Sequence, residues 1–390
     1  MTRRLRLVVL GMMGRCPFGG QTWLYLNWLR GFARLGCDVY YVEDDATWPY
    51  DPRVDSITDD PSYAASYLQR VLERIGLGRS WAYRPRQRPG ECYGMSEAAL
   101  RRLFAECDAL LNVCGATILD DDHRRARRRV YVETDPVTNQ LELANGVVKT
   151  RDVLSDHDTI ATYGENYGAP DCGVPLVGPF VYLKTRQPVD LELWTDAFDD
   201  SARAWGTIGN FKQQGHDVVW NGETYYWSKH HEFVKFLELP RRRPELTFEL
   251  ALNVDDEADR RMLVDSGFRL ASPLRASLDP WSYQELFRRA RGEWTVAKDQ
   301  NVRLRSGWFS ERDACFLASG KPVVAQATGF ENVLPTGEGL FAFRTIDEVL
   351  AALDRVESDY PKACRAAREV AVEHLEATRV CARLVDDLGL

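Results

Sequence analysis

The chain has 390 residues, of which 45% are hydrophobic and 28% are charged, and it contains eleven tryptophans. Because a domain usually spans about 100–200 residues, this length and composition predict two domains with separate cores. The net charge of -8 argues against nucleic acid as a partner, since nucleic-acid-binding proteins usually carry a basic excess.

The start of the chain carries basic residues and only about seven apolar residues before Gly14, which is too short for a secretory signal. No window offers the roughly 18 uncharged apolar residues of a membrane span. Nine cysteines are scattered without a Cys-x-x-Cys pair, and no Asp-x-Asp motif lies at a predicted strand end. We therefore expect a cytoplasmic protein without a membrane span, a bound metal or another cofactor.

In the first half of the chain, apolar strands alternate with helical patterns. The predicted elements are a strand at 5–12, a helix at 22–35, and strands at 39–42, 109–114, 129–133 and 158–163. The first three form a βαβ unit. A stretch bearing proline and glycine at 168–188 then predicts the crossing to a second domain.

The second half repeats this alternation. Its predicted elements are strands at 205–209, 247–252, 268–270, 294–297 and 321–325, and helices at 228–237, 306–320 and 347–356 and from 360 onward. We predict an N-terminal acceptor-side domain at 1–180, a linker at 181–200, a nucleotide-sugar-binding domain at 201–365 and a C-terminal helix at 366–390. In parallel sheets ligands gather beyond the carboxyl ends of the strands, so loops of both domains are expected to face one cleft.

Residues 318–340 carry the most specific motifs. These are Ala-Ser-Gly-Lys-Pro-Val-Val-Ala at 318–325, Thr-Gly-Phe at 328–330 and Gly-Glu-Gly-Leu at 337–340. The segment resembles the C-terminal donor domain of GT-B glycosyltransferases of the "glycosyl transferases group 1" type. The resemblance implies an α/β fold with two doubly wound Rossmann-like domains facing a cleft. It is specific over about residues 200–350 and architectural over the first 180.

The sequence departs from the retaining members of that family at one motif. Those enzymes carry two glutamates eight positions apart, and the matching positions here are Gly307 and Cys315. The sequence therefore does not decide whether the anomeric centre is inverted or retained.

The resemblance and the strand ends together predict a donor site and a first loop over the cleft. The predicted donor and phosphate-binding residues are Gly209, Asn210, Lys212, Lys298, Arg305, Ser306, Gly307, Trp308, Phe309, Ser310, Glu311, Thr328 and Gly329. The predicted sugar and acceptor residues are Gly14, Arg15, Phe18, Gly19, Gly20 and Asn166. Solvated loop charges and tight turns are the alternative for the basic residues and the glycines.

Two carboxylates are candidates for the general base. Asp135 follows the strand at 129–133 and precedes a proline that predicts a turn into the cleft, and Glu165 follows the strand at 158–163. A turn or helix-capping role is the alternative for Asp135. The aromatic stretch at 220–229 is explained better by core packing than by stacking on a base.

These features predict a glycosyltransferase that moves a hexosyl or deoxysugar unit from a UDP- or dTDP-sugar to a small-molecule or glycan acceptor. Two alternatives keep the same fold. One is a nucleotide-sugar epimerase, which needs no acceptor, and the other is a catalytically silent protein that binds nucleotide sugars. The sequence does not predict the sugar, the base, the acceptor or the oligomeric state.

Overall fold

The structure is a computed structural model that describes residues 3–390. Strands in the first half are β1 (Arg6–Leu10), β2 (Asp38–Asp45), β3 (Tyr50–Asp51), β4 (Ser56–Ile57), β5 (Trp81–Pro85), β6 (Tyr93–Gly94), β7 (Ala109–Val113), β8 (Arg129–Glu133), β9 (Thr159–Thr162) and β10 (Tyr182–Lys184). The helices there are α1 (Gly19–Arg34), α2 (Ser62–Arg74), α3 (Glu97–Glu106), α4 (Thr138–Ala144) and α5 (Val148–Ser155).

The second half contributes a further set of strands and helices. Its strands are β11 (Ala204–Asn210), β12 (Val218–Trp220), β13 (Glu223–Tyr225), β14 (Thr247–Asn253), β15 (Arg269–Leu270), β16 (Gly292–Thr295), β17 (Val323–Gln326) and β18 (Leu340–Phe343). Its helices are α6 (His230–Phe233), α7 (Leu239–Arg242), α8 (Glu257–Asp265), α9 (Pro273–Ser277), α10 (Pro280–Arg289), α11 (Asp299–Leu304), α12 (Glu311–Ala318), α13 (Ile346–Ser358), α14 (Tyr360–Val370) and α15 (Ala377–Asp387).

Each half forms one large sheet. The first has the order β10-β9-β8-β7-β1-β2-β5-β6, and its strands pair in parallel except for β5 with β6. The second has the order β15-β14-β11-β16-β17-β18 and is parallel throughout. Helices connect the parallel strands, as crossover connections require. The prediction of two doubly wound parallel sheets is confirmed.

Helix α1 lies where the two halves meet. It contacts α10 and α12 of the second half and also α15, so apolar residues cover more than one of its faces. Trp23 and Trp28 are both fully buried. A Cβ at Gly31 would lie 2.5 Å from Cys381 Sγ, so this glycine lets α15 approach α1 closely. The chain's last helix is therefore packed against the first half.

The chain crosses between the halves twice. The first crossing follows β10 and occupies residues 185–203, and the second runs from α14 to α15 through a single π-helical turn at Ala371–Leu375. The Val189 amide donates to the Leu375 carbonyl at 2.7 Å, and the Ala377 amide donates to the Val189 carbonyl at 3.0 Å. These bonds join the two crossings side by side. The segment predicted as one helix at 366–390 is thus divided by the π turn.

The aromatic stretch at 220–229 contributes to a β-hairpin that the sequence did not predict. Strands β12 and β13 pair antiparallel, and their residues Val218 and Tyr225 are buried with Val137 and Leu141 of the first half. The Asn145 side chain also donates to the Val219 carbonyl at 2.7 Å. Core packing between the halves accounts for Trp220 and Tyr225, whereas Tyr226 stacks on His231 and Trp227 lies under the Lys298 ammonium. Within residues 3–390, no helix combines the length and apolar composition that a membrane crossing needs.

Candidate functional site

Three adjoining cavities lie near the carboxyl ends of the strands, two of them lined by both halves and one by the second half alone. The central cavity has a volume of about 270 Å³, and both halves line it, with Gly20, Cys114, Thr134, Asp135 and Tyr163 from the first and Tyr283, Trp308, Phe309, Ser310, Glu311 and Arg312 from the second. Parallel strands direct their carboxyl-end loops to such a crevice.

The other two cavities share walls with the central one. The outer cavity, of about 550 Å³, is lined by Phe18, Gly20, Tyr50, Gly209, Asn210, Asn253, Leu274 and Tyr283. The basic cavity, of about 160 Å³, is lined by Thr207, Gly209, Asn210, Gln213, Lys229, Thr295 and Arg312. Because Arg312 borders the central and basic cavities and Gly209 borders the outer and basic ones, the three adjoin one another, and we refer to them together as the cleft.

Asp135 lies in the wall of the central cavity, as the strand-end argument expects. Its side chain is 45% exposed, and one carboxylate oxygen accepts a hydrogen bond from Lys298 Nζ at 2.5 Å. Burial lowers the pKa of Lys298, and the negative charge of Asp135 opposes this shift. The neighbouring Thr134 carbonyl accepts from the Trp308 indole at 3.0 Å. Asp135 is therefore fixed at the junction of the halves and remains open to the cavity.

Glu311 is the first residue of α12 and a second carboxylate in the central cavity. Burial raises its pKa well above the ordinary value, and the negative charge of Asp135 adds to the shift. Its Oε1 atom is buried without a hydrogen-bond partner within the described chain. Because a buried, unpaired carboxyl oxygen is costly, this atom is available to a polar group of a ligand.

Two cations dominate the basic cavity. Arg312 donates to the Ile208 carbonyl at 2.7 Å and to Thr295 Oγ1 at 2.9 Å, and it forms a close ion pair with Glu293. Burial, together with the positive charge of Arg312, lowers the pKa of Lys229 to about 7. In residues 3–390, Lys229 forms no ion pair with a carboxylate. A phosphate oxygen would supply the missing negative partner.

Neither of these cations was predicted from the sequence. Lys229 lies at the end of the aromatic stretch and immediately before α6, and Arg312 is the second residue of α12. Position next to a helix start makes them candidates, since a basic residue there is unfavourable without an anion, just as position after a strand end made Lys212 a candidate.

Lys212 was predicted to contact phosphate, but the structure places its side chain elsewhere. Its Nζ lies 2.5 Å from an Asp259 carboxylate oxygen, and its side chain is 48% exposed. It is not in the walls of the three cavities. Gly209 and Asn210, from the same strand end, do line the cleft. Lys229 therefore lines the cavities at this strand end, whereas Lys212 does not.

The predicted donor loop at 306–310 is not helical, because α12 begins only at Glu311. Ser310 caps the helix through a hydrogen bond from the Arg312 amide at 3.2 Å. The Trp308 amide, predicted to be open to phosphate, donates to Ser306 Oγ at 3.2 Å. Trp308, Phe309 and Ser310 all border the central cavity.

The remaining donor candidates form a junction between the halves. Asn166 donates from its amide to the Ser306 carbonyl at 3.1 Å and from its side chain to the Arg305 carbonyl at 2.9 Å. A Cβ at Gly307 would lie 2.3 Å from the Asn166 nitrogen, and one at Gly329 would lie 2.8 Å from its side chain. Arg305 pairs with Asp171 and Glu331, and Thr328 donates to the Trp308 carbonyl. These residues hold the loop in place instead of lining the cleft.

The first glycine-rich loop divides into two parts. Gly14 donates its amide to Glu43, and Arg15 is buried against Glu43 and Asp45, so both stabilise the first half internally. Phe18 and Gly20 line the outer cavity. A Cβ at Gly19 would lie 2.4 Å from the Tyr283 Cβ, so this glycine permits the contact with α10.

Glu165, the second candidate base, does not border the cleft cavities. Its side chain is only 7% exposed, and it accepts two hydrogen bonds from Arg186, at 2.6 and 3.1 Å. Of the two candidate bases, only Asp135 faces the central cavity.

Comparison with known proteins identifies the fold. No family model and no curated protein matches the sequence. Among solved structures, Anabaena Alr3699/HepE in complex with UDP and glucose has a TM-score of 0.58 at 12% identity, covering 99% of this chain and 100% of that chain. An alpha-glucosyltransferase in complex with UDP and a 13-mer DNA has a TM-score of 0.58 at 12% identity, covering 100% of both chains.

Sucrose-phosphate synthase from Thermosynechococcus elongatus gives a similar match. Its TM-score is 0.55 at 11% identity, and the match covers 98% of each chain. The fold defined by these likenesses and by the two facing sheets is GT-B. The GT-B architecture predicted from residues 318–340 is confirmed.

Proposed function

We propose that this protein is a glycosyltransferase that moves a hexosyl or deoxysugar unit from a UDP- or dTDP-sugar to a small-molecule or glycan acceptor. The observation that carries the proposal is the row of adjoining cavities, with Lys229, which forms no ion pair within residues 3–390, at one end and Asp135 and Glu311 at the other. The GT-B fold supports it, and UDP is bound in two of the similar structures.

In the proposed reaction, the acceptor hydroxyl loses its proton to Asp135 and attacks the anomeric carbon. The bond from that carbon to the phosphate oxygen breaks, and the nucleoside diphosphate leaves with the electron pair. Lys229 and Arg312 stabilise the charge that develops on the leaving oxygen, as preorganised cations do. Asp135 is suited to the base role because it faces the central cavity while Lys298 fixes its position.

The proposal includes a cytoplasmic location and no metal or cofactor besides the nucleotide sugar. The nine cysteines are all free thiols in the structure, which suits a reducing compartment. The acceptor would enter from the first half, and the proposal leaves the oligomeric state open.

The test begins with thermal-shift and calorimetric screening of UDP, dTDP, GDP and ADP, followed by turnover of the matching sugar donors with an acceptor panel. Transfer to an acceptor supports the proposal. Conversion of the nucleotide sugar without an acceptor would identify an epimerase instead, and binding without turnover would identify a silent binding protein.

Asp135→Asn tests the base assignment. A general base contributes about 10²–10⁴-fold to the rate, so turnover should fall by this factor while UDP affinity stays within about twofold. Asp152→Asn, at an exposed position on α5, is the matched control and should keep wild-type turnover. Wild-type turnover in Asp135→Asn would remove Asp135 from the reaction. Glu165→Gln should keep turnover as well, because Glu165 lies outside the cleft cavities.

A further inference from the structure

A second pocket lies behind the cleft, where the two crossings meet. This hinge pocket has a volume of about 200 Å³. Its walls include Thr185 and Arg186 from the first crossing, Val333 from the connection between β17 and β18, His374 from the π-helical turn, and Arg379 and Arg383 from α15. It shares no lining residue with the three cleft cavities.

Three guanidinium groups line the hinge pocket, and each has N–H donors that are not used in hydrogen bonds within the described chain. Arg186 uses Nε and one Nη atom on Glu165, which leaves its other Nη atom free within the described chain. Arg379 donates one Nη atom to the Glu373 carbonyl at 2.8 Å. Arg383 lies no closer than 3.7 Å to its nearest carboxylate, that of Asp387. Each group therefore retains donors that a further acceptor could use.

The wall of the hinge pocket contains fewer acidic than basic side chains. Glu373 is the lining carboxylate, and its side chain is 68% exposed to solvent. Glu165 lies behind Arg186 and is already paired with it. Burial lowers the pKa of His374, and the positive charge of Arg186 also lowers it. The electrostatic potential at this histidine therefore has a positive contribution from Arg186. The pocket thus has an excess of positive charge although the whole chain is acidic.

We propose that the hinge pocket is a binding site for a small phosphate-bearing anion, held by Arg186, Arg379 and Arg383. Guanidinium groups bind phosphate oxygens through paired N–H donors, and three of them converge here from both crossings. A volume of about 200 Å³ suits a phosphate or diphosphate group better than a whole nucleotide. The assignment does not depend on the proposed function.

The position of the pocket connects it to the cleft. Gln187, next to Arg186, donates a hydrogen bond to the Phe309 carbonyl in the wall of the central cavity. The π-helical turn at Ala371–Leu375 forms part of the same boundary, and such turns are frequent at functional sites. A bound anion would contact both crossings at once.

The test uses calorimetry of the full chain with inorganic phosphate and pyrophosphate. Because either anion could also bind in the cleft, the titrations are repeated in Lys229→Met, where the cleft has lost one cation. We expect one binding event, that of the hinge pocket, to have the same affinity in the wild type and in Lys229→Met. In the double variant Arg379→Gln/Arg383→Gln, the dissociation constant should rise about tenfold or more.

Both substituted arginines are exposed, so the double variant is expected to fold, and its melting temperature without anion checks this. Arg365→Gln, at an exposed position on α14, is the matched control and should bind as the wild type does. Unchanged affinity in the double variant, or loss of binding in Lys229→Met alone, would overturn the proposal. Absence of binding of both anions to the wild type would also overturn it.

Discussion

Two groups of charged side chains, one buried beside the first sheet and one half-buried in the cleft, differ in how completely they are paired. In the first sheet, Asp44 forms ion pairs with Arg84 at 2.5 Å and with Arg86, and one of its oxygens lies 3.2 Å from His123 Nε2. In the cleft, Lys229 forms no ion pair and Glu311 has an oxygen without a hydrogen bond, within the residues that the structure describes. The first group forms an internal network, whereas the second is incomplete.

The pKa shifts express the same difference. Burial opposes ionisation of Asp44, but hydrogen bonds from His123, Arg84 and Arg86 outweigh it and hold the pKa below the ordinary range. In the cleft, burial prevails, and it lowers the pKa of Lys229 and raises that of Glu311. Charges whose partners lie within the chain stabilise the fold. Charges that the fold leaves unpaired indicate where a ligand completes the site.

The largest expected effect is on stability, from Asp44→Asn. Removing one member of a buried ion network leaves the others uncompensated, so the free energy of unfolding should fall by about 3–5 kcal/mol. Urea unfolding followed by circular dichroism measures the change. Asp121→Asn is the control, since Asp121 is fully exposed and its loss should change stability by less than about 0.5 kcal/mol. A small effect in Asp44→Asn would mean that the network is not structural.

The opposite pattern is expected for Lys229→Met. Losing a charge-assisted contact to phosphate should weaken UDP binding by about 1.5–3 kcal/mol, or roughly 10–100-fold. Stability should not fall, because an unpaired buried cation is itself unfavourable. Calorimetry with UDP and urea unfolding measure the two quantities, with Lys362→Met, at an exposed position, as the control. Lower stability with unchanged UDP affinity would contradict the distinction between the two groups.

The pH dependence of UDP binding also tests whether the charge of Lys229 contributes to binding. Lys229 has a pKa lowered to about 7, so its ammonium form decreases as pH rises from 7 to 9. We expect UDP affinity to weaken over this range, by less than the full loss in Lys229→Met because bound phosphate favours the charged form. A phosphate monoester loses its second proton near pH ~6, so UDP itself changes little here. Lys229→Arg should remove the trend, and an identical slope in that variant would assign it to another group.

The charged network around Asp44 should make stability depend on pH, because it includes His123. Burial lowers the pKa of His123, but hydrogen bonds to Asp120 and Asp44 outweigh it, so the net shift is upward. A raised pKa means that the histidine contributes fully below its unfolded pKa of about 6.5, and that this contribution is lost as pH rises through the raised value. The stability difference between the wild type and His123→Gln, about 1 kcal/mol at pH 6, should therefore shrink toward pH 9. A constant difference would show that His123 acts by packing alone.

How far the sequence predicted these features depends on the range of the interactions. Local patterns were sufficient for helix α13, where Thr345 and Glu348 form a capping box and Val349 and Leu353 are buried on one face. They were also sufficient for the motifs at 318–340 and for placing Asp135 in the cleft wall, because strand-end position follows from sheet topology.

Pairing between distant side chains could not be predicted in this way. Lys212 and Lys229 are both lysines near a strand end or a helix start, and nothing local separates them. Asp259, from helix α8, supplies a partner for Lys212 but none for Lys229. In the same way, Arg186 forms an ion pair with Glu165. Local sequence could not distinguish Glu165 from Asp135 as a candidate base. Contacts between residues far apart in the chain therefore decided which predicted side chains face the cleft.

The smallest expected effect, that of Lys212→Ala, follows from this pairing. The Nζ atom of Lys212 already has a carboxylate partner, and the side chain is half exposed, so water can replace either partner. An exposed ion pair contributes about 0–1 kcal/mol, so stability should change by no more than that. UDP affinity should stay within about twofold, in contrast to Lys229→Met. Side-by-side calorimetry of the two variants measures this, and a tenfold weaker UDP affinity in Lys212→Ala would show that its ammonium leaves Asp259 for the phosphate when the donor binds.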